Sequence, residues 1–195
     1  MSDFWSSNYS EAESGIKDPK RKFRFKVEIA GLADATSTST VWYAKTATKP
    51  SFQIAAAEHK YLNHTFYYPG TVTWQDVTMT LVDPTSPDVA DAFGAIMAAA
   101  GYGIPDDDST FTTMTKASVA SALGVVAITQ LDGEGESIET WTLHNAFVTE
   151  FKFGDLEYGG DDLTELSMTL KYDWATMVGV DSAGETRFDT IKDSA

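Results

Sequence analysis

Three histidines, several acidic turns and no cysteine are what this chain offers to chemistry. Without cysteine there is no thiolate nucleophile, no cysteine-built zinc site and no disulfide to support a core. His59 and His64 lie an odd number of residues apart, so on one continuous strand their rings point to opposite faces and cannot share a metal. Asp132-Gly133-Glu134-Gly135-Glu136 looks like the start of a calcium loop. An EF-hand needs Gly at its sixth position and Glu at its twelfth, where this chain has Ser137 and Leu143. Asp155, Glu157, Asp161 and Asp162 could converge on a calcium ion, but solvated turn carboxylates are the plainer reading. Paired carboxylates for glycoside hydrolysis are defined by their separation in space, and the sequence singles out no pair. No Gly-rich phosphate loop follows a strand, and no Gly-x-Ser-x-Gly elbow occurs. The expectation is a chain with no catalytic residue, no metal and no cofactor.

Aromatic residues carry a different signal. Trp42, Tyr43, Tyr61, Phe66, Tyr67, Tyr68 and Trp74 crowd two neighbouring segments. Consecutive pairs such as Trp42-Tyr43 and Tyr67-Tyr68 place rings on both faces of a strand. One face belongs to the core, and the other needs cover from this chain, a ligand such as a carbohydrate, or another subunit. The Pro50 break and the Ala-rich stretch beside it favour subunit contact through Trp42, Tyr43, Tyr67, Tyr68 and Trp74.

The elements that must position these residues are mostly strands. Phe23, Phe25, Val27 and Ile29 alternate with Arg24, Lys26 and Glu28, the pattern of a half-buried strand. Further strands are predicted at Val41–Thr48, Lys60–Tyr68, Thr71–Asp83, Gly124–Leu131, Ser137–His144, Asn145–Phe153 and Leu166–Trp174. Pro50 should interrupt pairing after the second strand, and Pro69-Gly70 should stop the third. Residues 51–58 show no clear period. One helix is clear, at about 87–100. Ser86 can cap it, Pro87 and Asp88 suit its first turn, Val89, Phe93, Ile96, Met97 and Ala100 form one apolar face, and Gly101 ends it. An insertion at about 102–122 holds the exposed Asp106-Asp107-Asp108 run and a short helix within Thr115–Leu123.

The reading is therefore a mainly β fold of two packed antiparallel sheets, a sandwich or partly rolled barrel, with one helix. Residues 1–22 form an N-terminal arm, 23–177 the β domain and 178–195 a polar tail. At 195 residues the chain fits one domain that buries roughly 70% of its unfolded surface. No apolar run is long enough to span a membrane, and Met1-Ser2-Asp3-Phe4-Trp5 has no signal-peptide character, so cytoplasmic synthesis is expected. The formal charge of −15 argues against gripping nucleic acid. Nine acids balance nine bases up to Asp83, whereas 20 acids face five bases beyond it, so the whole excess lies in the second part.

In this order the elements resemble the tail-tube protein family of contractile-tailed bacteriophages, over roughly Lys22 to Met177. Three stretches carry the resemblance. The first is Phe23-Arg24-Phe25-Lys26-Val27-Glu28-Ile29. The second runs from Lys45-Thr46-Ala47-Thr48-Lys49-Pro50-Ser51-Phe52 through Tyr61-Leu62-Asn63 to Tyr68-Pro69-Gly70-Thr71-Val72-Thr73-Trp74 and Leu81-Val82-Asp83. The third is Trp141-Thr142-Leu143-His144-Asn145-Ala146-Phe147-Val148, with Gly154-Asp155-Leu156 and the strand Leu166–Trp174 after it. The insertion and the C-terminal tail are longer than a minimal tube subunit needs.

The resemblance implies hexameric rings whose sheets join in one barrel around a channel, the rings stacking into a virion tail tube assembled in the host cytoplasm. It implies sheath, baseplate and tape-measure proteins as partners, with DNA passing through unbound and no membrane insertion. It also implies that the excursion Lys49, Pro50, Ser51, Phe52, Gln53 onward to Glu58, His59 and Lys60 reaches the adjacent ring. An acidic channel wall would repel phosphates. Glu139, Glu150 and Asp173 are its candidates, because alternation sets them opposite core residues. Competing readings are a tube subunit of a type VI secretion or phage-like injection machine, a tube-initiating baseplate protein, and a carbohydrate-binding β-sandwich. An enzyme is the weakest of them.

Overall fold

The computed structural model describes residues 19–32, 44–85, 89–103, 113–179 and 186–187. These form eleven strands and two α-helices. The opening alternation makes β1 (Phe25–Ile29), with Val27 and Ile29 buried and Lys26 and Glu28 turned away. Beside it, in order, lie β6 (Val126–Leu131), β7 (Ser137–His144), β10 (Trp174–Gly179) and β11 (Thr186–Arg187). A second sheet has the order β2 (Ala44–Ala47), β5 (Val77–Val82), β9 (Glu165–Lys171) and β8 (Phe147–Lys152). Every strand pair is antiparallel.

The two sheets share one core. Val27, Ile29, Ile128 and Leu143 from the first meet Met79, Leu81, Leu166, Met168 and Leu170 from the second. Helix α1 (Val89–Ala99) adds Val89, Phe93 and Ile96, and the Phe93 ring lies 4.2 Å from that of Phe151. Gly101, at φ +96°, ends this helix, a conformation that costs glycine little. The cap expected from Ser86, Pro87 and Asp88 lies outside the described residues. Helix α2 (Lys116–Leu123) begins at a capping box, in which the Thr115 hydroxyl accepts from the Ser118 amide and Ser118 Oγ from the Thr115 amide.

Several expectations need correction. Residues 60–68 are not one strand, because the Leu62-Asn63 turn divides them, and 71–83 is broken at Gln75-Asp76. Pro69-Gly70 does not stop a strand. It lies within β4 (His64–Trp74), which pairs with β3 (Phe52–Tyr61) across a bulge where Gly70 and Thr71 face Ala55. A Cβ on Gly70 would come within 3.0 Å of Ala55 O, so glycine lets the chains approach there. The closing strand does not run through to Trp174. It ends at Lys171, and Trp174 opens β10, where Ala175 is buried opposite Leu143. Residues beyond Met177 are accordingly partly paired, whereas a loose tail was expected.

Gly31 shows how tightly the short turn Ala30–Leu32 sits against α2. A Cβ there would lie 2.3 Å from Ala122 O and 2.8 Å from Leu123 O, both backbone atoms that cannot swing away. Gly31→Ala is expected to cost about 1–3 kcal/mol, read as a lower urea midpoint at unchanged slope.

Candidate assembly surfaces

Among the described residues β3 and β4 pair only with each other, forming a two-stranded arm. All ten residues of β3 and nine of the eleven in β4 are exposed. The strands meet at a two-residue turn, Leu62-Asn63, where Leu62 takes φ +54°. Phe52, Ile54, Tyr61, Leu62, Phe66, Tyr67, Tyr68 and Val72 all stand in water. A two-stranded hairpin alone is marginally stable, and apolar displays of this size are typical of contact surfaces.

The expected ring-contact segment therefore divides. Phe52, Gln53, Glu58, His59 and Lys60 lie on β3, half of a hairpin that continues to Trp74. Lys49, Pro50 and Ser51 form its root. Pro50 is buried, Ser51 O accepts from the Gln75 amide at 2.8 Å, and Lys49 points into the body. Of the expected subunit-contact aromatics, Tyr67 and Tyr68 are exposed on β4. Trp74 packs instead on its own core, 5.3 Å from Phe52 and 5.9 Å from Tyr172. Trp42 and Tyr43 lie outside the described residues. His59 and His64 sit on the two paired strands, not on one continuous strand.

The candidate channel residues separate more sharply. Glu139 faces inward with Trp141 and Leu143, contrary to the expected phase, and is 8% exposed. Burial would push its carboxyl up, but hydrogen bonds from Lys20, Lys49 and Trp141 outweigh that and hold it down at about 2. Lys49 Nζ reaches it at 2.9 Å and also donates to Gln130 Oε1. Asp173 is not on a strand. It occupies the link between β9 and β10, where Lys116 Nζ donates at 2.6 Å and Asn145 Nδ2 at 2.8 Å, holding its carboxyl below the usual range. Glu139 is thus buried and tied to two lysines, whereas Asp173 is exposed and paired at the surface. Glu150 does stand on an exposed strand face, 3.2 Å from Lys152.

That face is the outward side of the second sheet. Register places Thr46 beside Thr80, Thr80 beside Ser167, Thr78 beside Thr169 and Glu150 beside Thr169. Thr48 adds a hydroxyl that bonds the Thr78 carbonyl and amide. Its lysines are matched by acids: Lys152 with Glu150, Lys45 with Glu165, and Lys171 with Asp76 at 3.6 Å. The strands of this face thus present a hydroxyl-rich surface whose lysines are paired. At its β9 end Asp155 and Asp162 add acidic charge beside Lys45, Thr80, Glu165 and Ser167.

Among the described residues no group of three or more His, Asp or Glu could hold a metal, and no helix is long and apolar enough to cross a membrane. No family model and no curated protein matches the sequence. Several solved structures share the fold. A chain of the anti-feeding prophage baseplate, solved with six-fold symmetry, is 14% identical with a TM-score of 0.59, over 85% of this chain and 99% of that one. A chain of the cap that terminates the anti-feeding prophage tube is 15% identical with a TM-score of 0.60, over 87% and 97%. A chain of the sheath–tube complex of an extracellular contractile injection system is 16% identical with a TM-score of 0.56, over 85% and 95%.

Proposed function

We propose, starting from a fold shared with components of contractile injection systems, that this chain is a self-assembling tube subunit. The β3–β4 arm carries the reading. A chain that leaves some 20 residues of paired strand standing off its body, dense in exposed aromatics, is built to complete itself on another copy.

Lateral assembly follows from the second sheet. Its edges are β2 and β8, and pairing β2 of one copy with β8 of the next would leave no open edge once a ring closes. Six copies are the expected number, as in the tail-tube family the sequence resembles. The Thr- and Ser-rich face would then line the channel. A wettable wall whose lysines are paired neither grips a polyanion nor depends on strong repulsion, so DNA slides past hydroxyls and paired charges. In this reading Glu150 alone of the three sequence candidates lines the bore. The 20 acids of the second part act elsewhere, in solubility or toward a sheath.

The setting is a virion tail, with sheath, baseplate and tape-measure proteins as partners, DNA passing through and no catalytic role. The same subunit would equally serve an injection system with another cargo, such as the one whose sheath–tube complex shares this fold. Light scattering and electron microscopy of the purified chain test the proposal. Rings or tubes of uniform bore are expected. A 21.2 kDa monomer at every concentration and salt would overturn it.

A further inference from the structure

Residues 153–164, which join β8 to β9, leave a run of apolar side chains uncovered on the body. Phe153, Leu156, Tyr158 and Leu163 are all exposed, Leu156 at 89%. Asp155, Glu157, Asp161 and Asp162 lie among them with no base in the segment. Two such segments repel each other, so packing like against like is disfavoured. An occupant has to be apolar and free of negative excess.

The arm has that character. Between Ser51 and Gln75 it carries one acid, Glu58, and one base, Lys60, beside its exposed aromatic and aliphatic side chains. The positions of the two surfaces are as telling as their chemistry. Glu165 pairs with Val82, so the 153–164 segment sits where β5 ends. Leu170 pairs with Val77, and the Thr48 amide bonds Thr78 O, so the arm leaves where β5 begins. Arm and segment thus occupy opposite ends of one sheet, about 20 Å apart along the strands. Copies displaced along the strand direction bring the arm of one onto the segment of the next. Such a head-to-tail contact, repeated by displacement along the strands with no rotation that closes it, propagates as an open stack.

We propose that residues 153–164 are the seat that receives the β3–β4 arm of a second copy. The inference rests on the tube reading and adds the receiving surface. The absence of cysteine makes a single-site test available. Leu156→Cys, labelled with a benzophenone maleimide, is mixed as one part in about ten with isotope-labelled wild-type chain and assembled under conditions in which wild type forms tubes. Irradiation followed by mass spectrometry is expected to join Leu156→Cys to peptides within 52–74 of the isotope-labelled copy. As a second measurement, Leu156→Asp with Leu163→Asp should raise the concentration needed for tubes at least tenfold while leaving the circular dichroism spectrum unchanged. Tubes that form normally, with adducts mapping elsewhere or within one chain, would overturn the seat and leave the tube reading standing. Wild-type chain that never forms tubes would overturn both.

Discussion

Joining Phe52 to Trp74 through Asn-Gly, with residues 53–73 removed, is expected to leave a folded subunit that no longer makes tubes. Phe52 and Trp74 are directly opposite in the ladder, so a two-residue turn can close them with the twist a hairpin needs. The contacts that matter to the body survive, because Trp74 keeps Phe52 and Tyr172 and Ser51 O keeps the Gln75 amide. Every core residue lies outside the deleted stretch. Thermal unfolding should therefore move by only a few degrees. Assembly should respond far more strongly. Full burial of an aromatic or large aliphatic side chain gains about 1.5–3 kcal/mol, and the deletion removes at least five of those exposed on the arm. Even after the cost of ordering the arm, the loss corresponds to a rise of about a thousandfold or more in the concentration needed to polymerise. Normal tubes from this variant, seen by sedimentation and electron microscopy, would show that the arm has another purpose.

Why the arm was only half legible in the sequence follows from the same exposure. Alternation reveals a strand when one face is buried. β1, β5 and β9 announced themselves through Val27 and Ile29, through Val77, Met79 and Leu81, and through Leu166, Met168 and Leu170. In the arm neither face meets a core, so Ala55-Ala56-Ala57 and the Phe66-Tyr67-Tyr68 run carry no period for the sheet to impose. Its turn also lacks the usual glycine, since Leu62 adopts the left-handed conformation and Asn63 follows. Pro69 was a false stop because a bulge in a free-standing hairpin tolerates a missing donor that a central strand would not. The misplaced carboxylates have another cause. β7 carries Ile138 on one face and Trp141 and Leu143 on the other, so the apolar residues alone do not fix the phase. What lets Glu139 turn inward is a pair of lysines at positions 20 and 49, and no local pattern encodes that meeting.

Those lysines make Glu139 the residue whose loss should cost the body most among its charged groups. The carboxylate joins three separate parts of the chain: the segment before β1 through Lys20, the root of the arm through Lys49, and the first sheet through its own strand. Its folded pKa of about 2 lies below the ordinary carboxyl value of 4.5, so the folded state binds the proton less tightly than the unfolded chain does. The stability this contributes is fully present above about pH 4.5, and it fades as the pH falls through the window toward 2. The full shift corresponds to about 3 kcal/mol. Both lysines remain roughly half exposed, so screening reduces the net contribution to on the order of 2 kcal/mol. Glu139→Gln keeps the shape and a hydrogen-bonding oxygen while removing the charge. It is expected to lower stability by that amount at pH 7 and to approach wild type near pH 2, once other acid-sensitive groups are matched by comparing the two proteins at each pH. Denaturant titrations from pH 7 to 2 read this directly: two curves parallel throughout would mean that packing, not charge, sets the cost. Because only Pro50 and Ser51 separate Lys49 from β3, the same variant should also tilt the arm's root. Tube formation at pH 7 should weaken by more than the loss of fold stability explains, and an effect on assembly no larger than that loss would restrict Glu139 to the core it helps close.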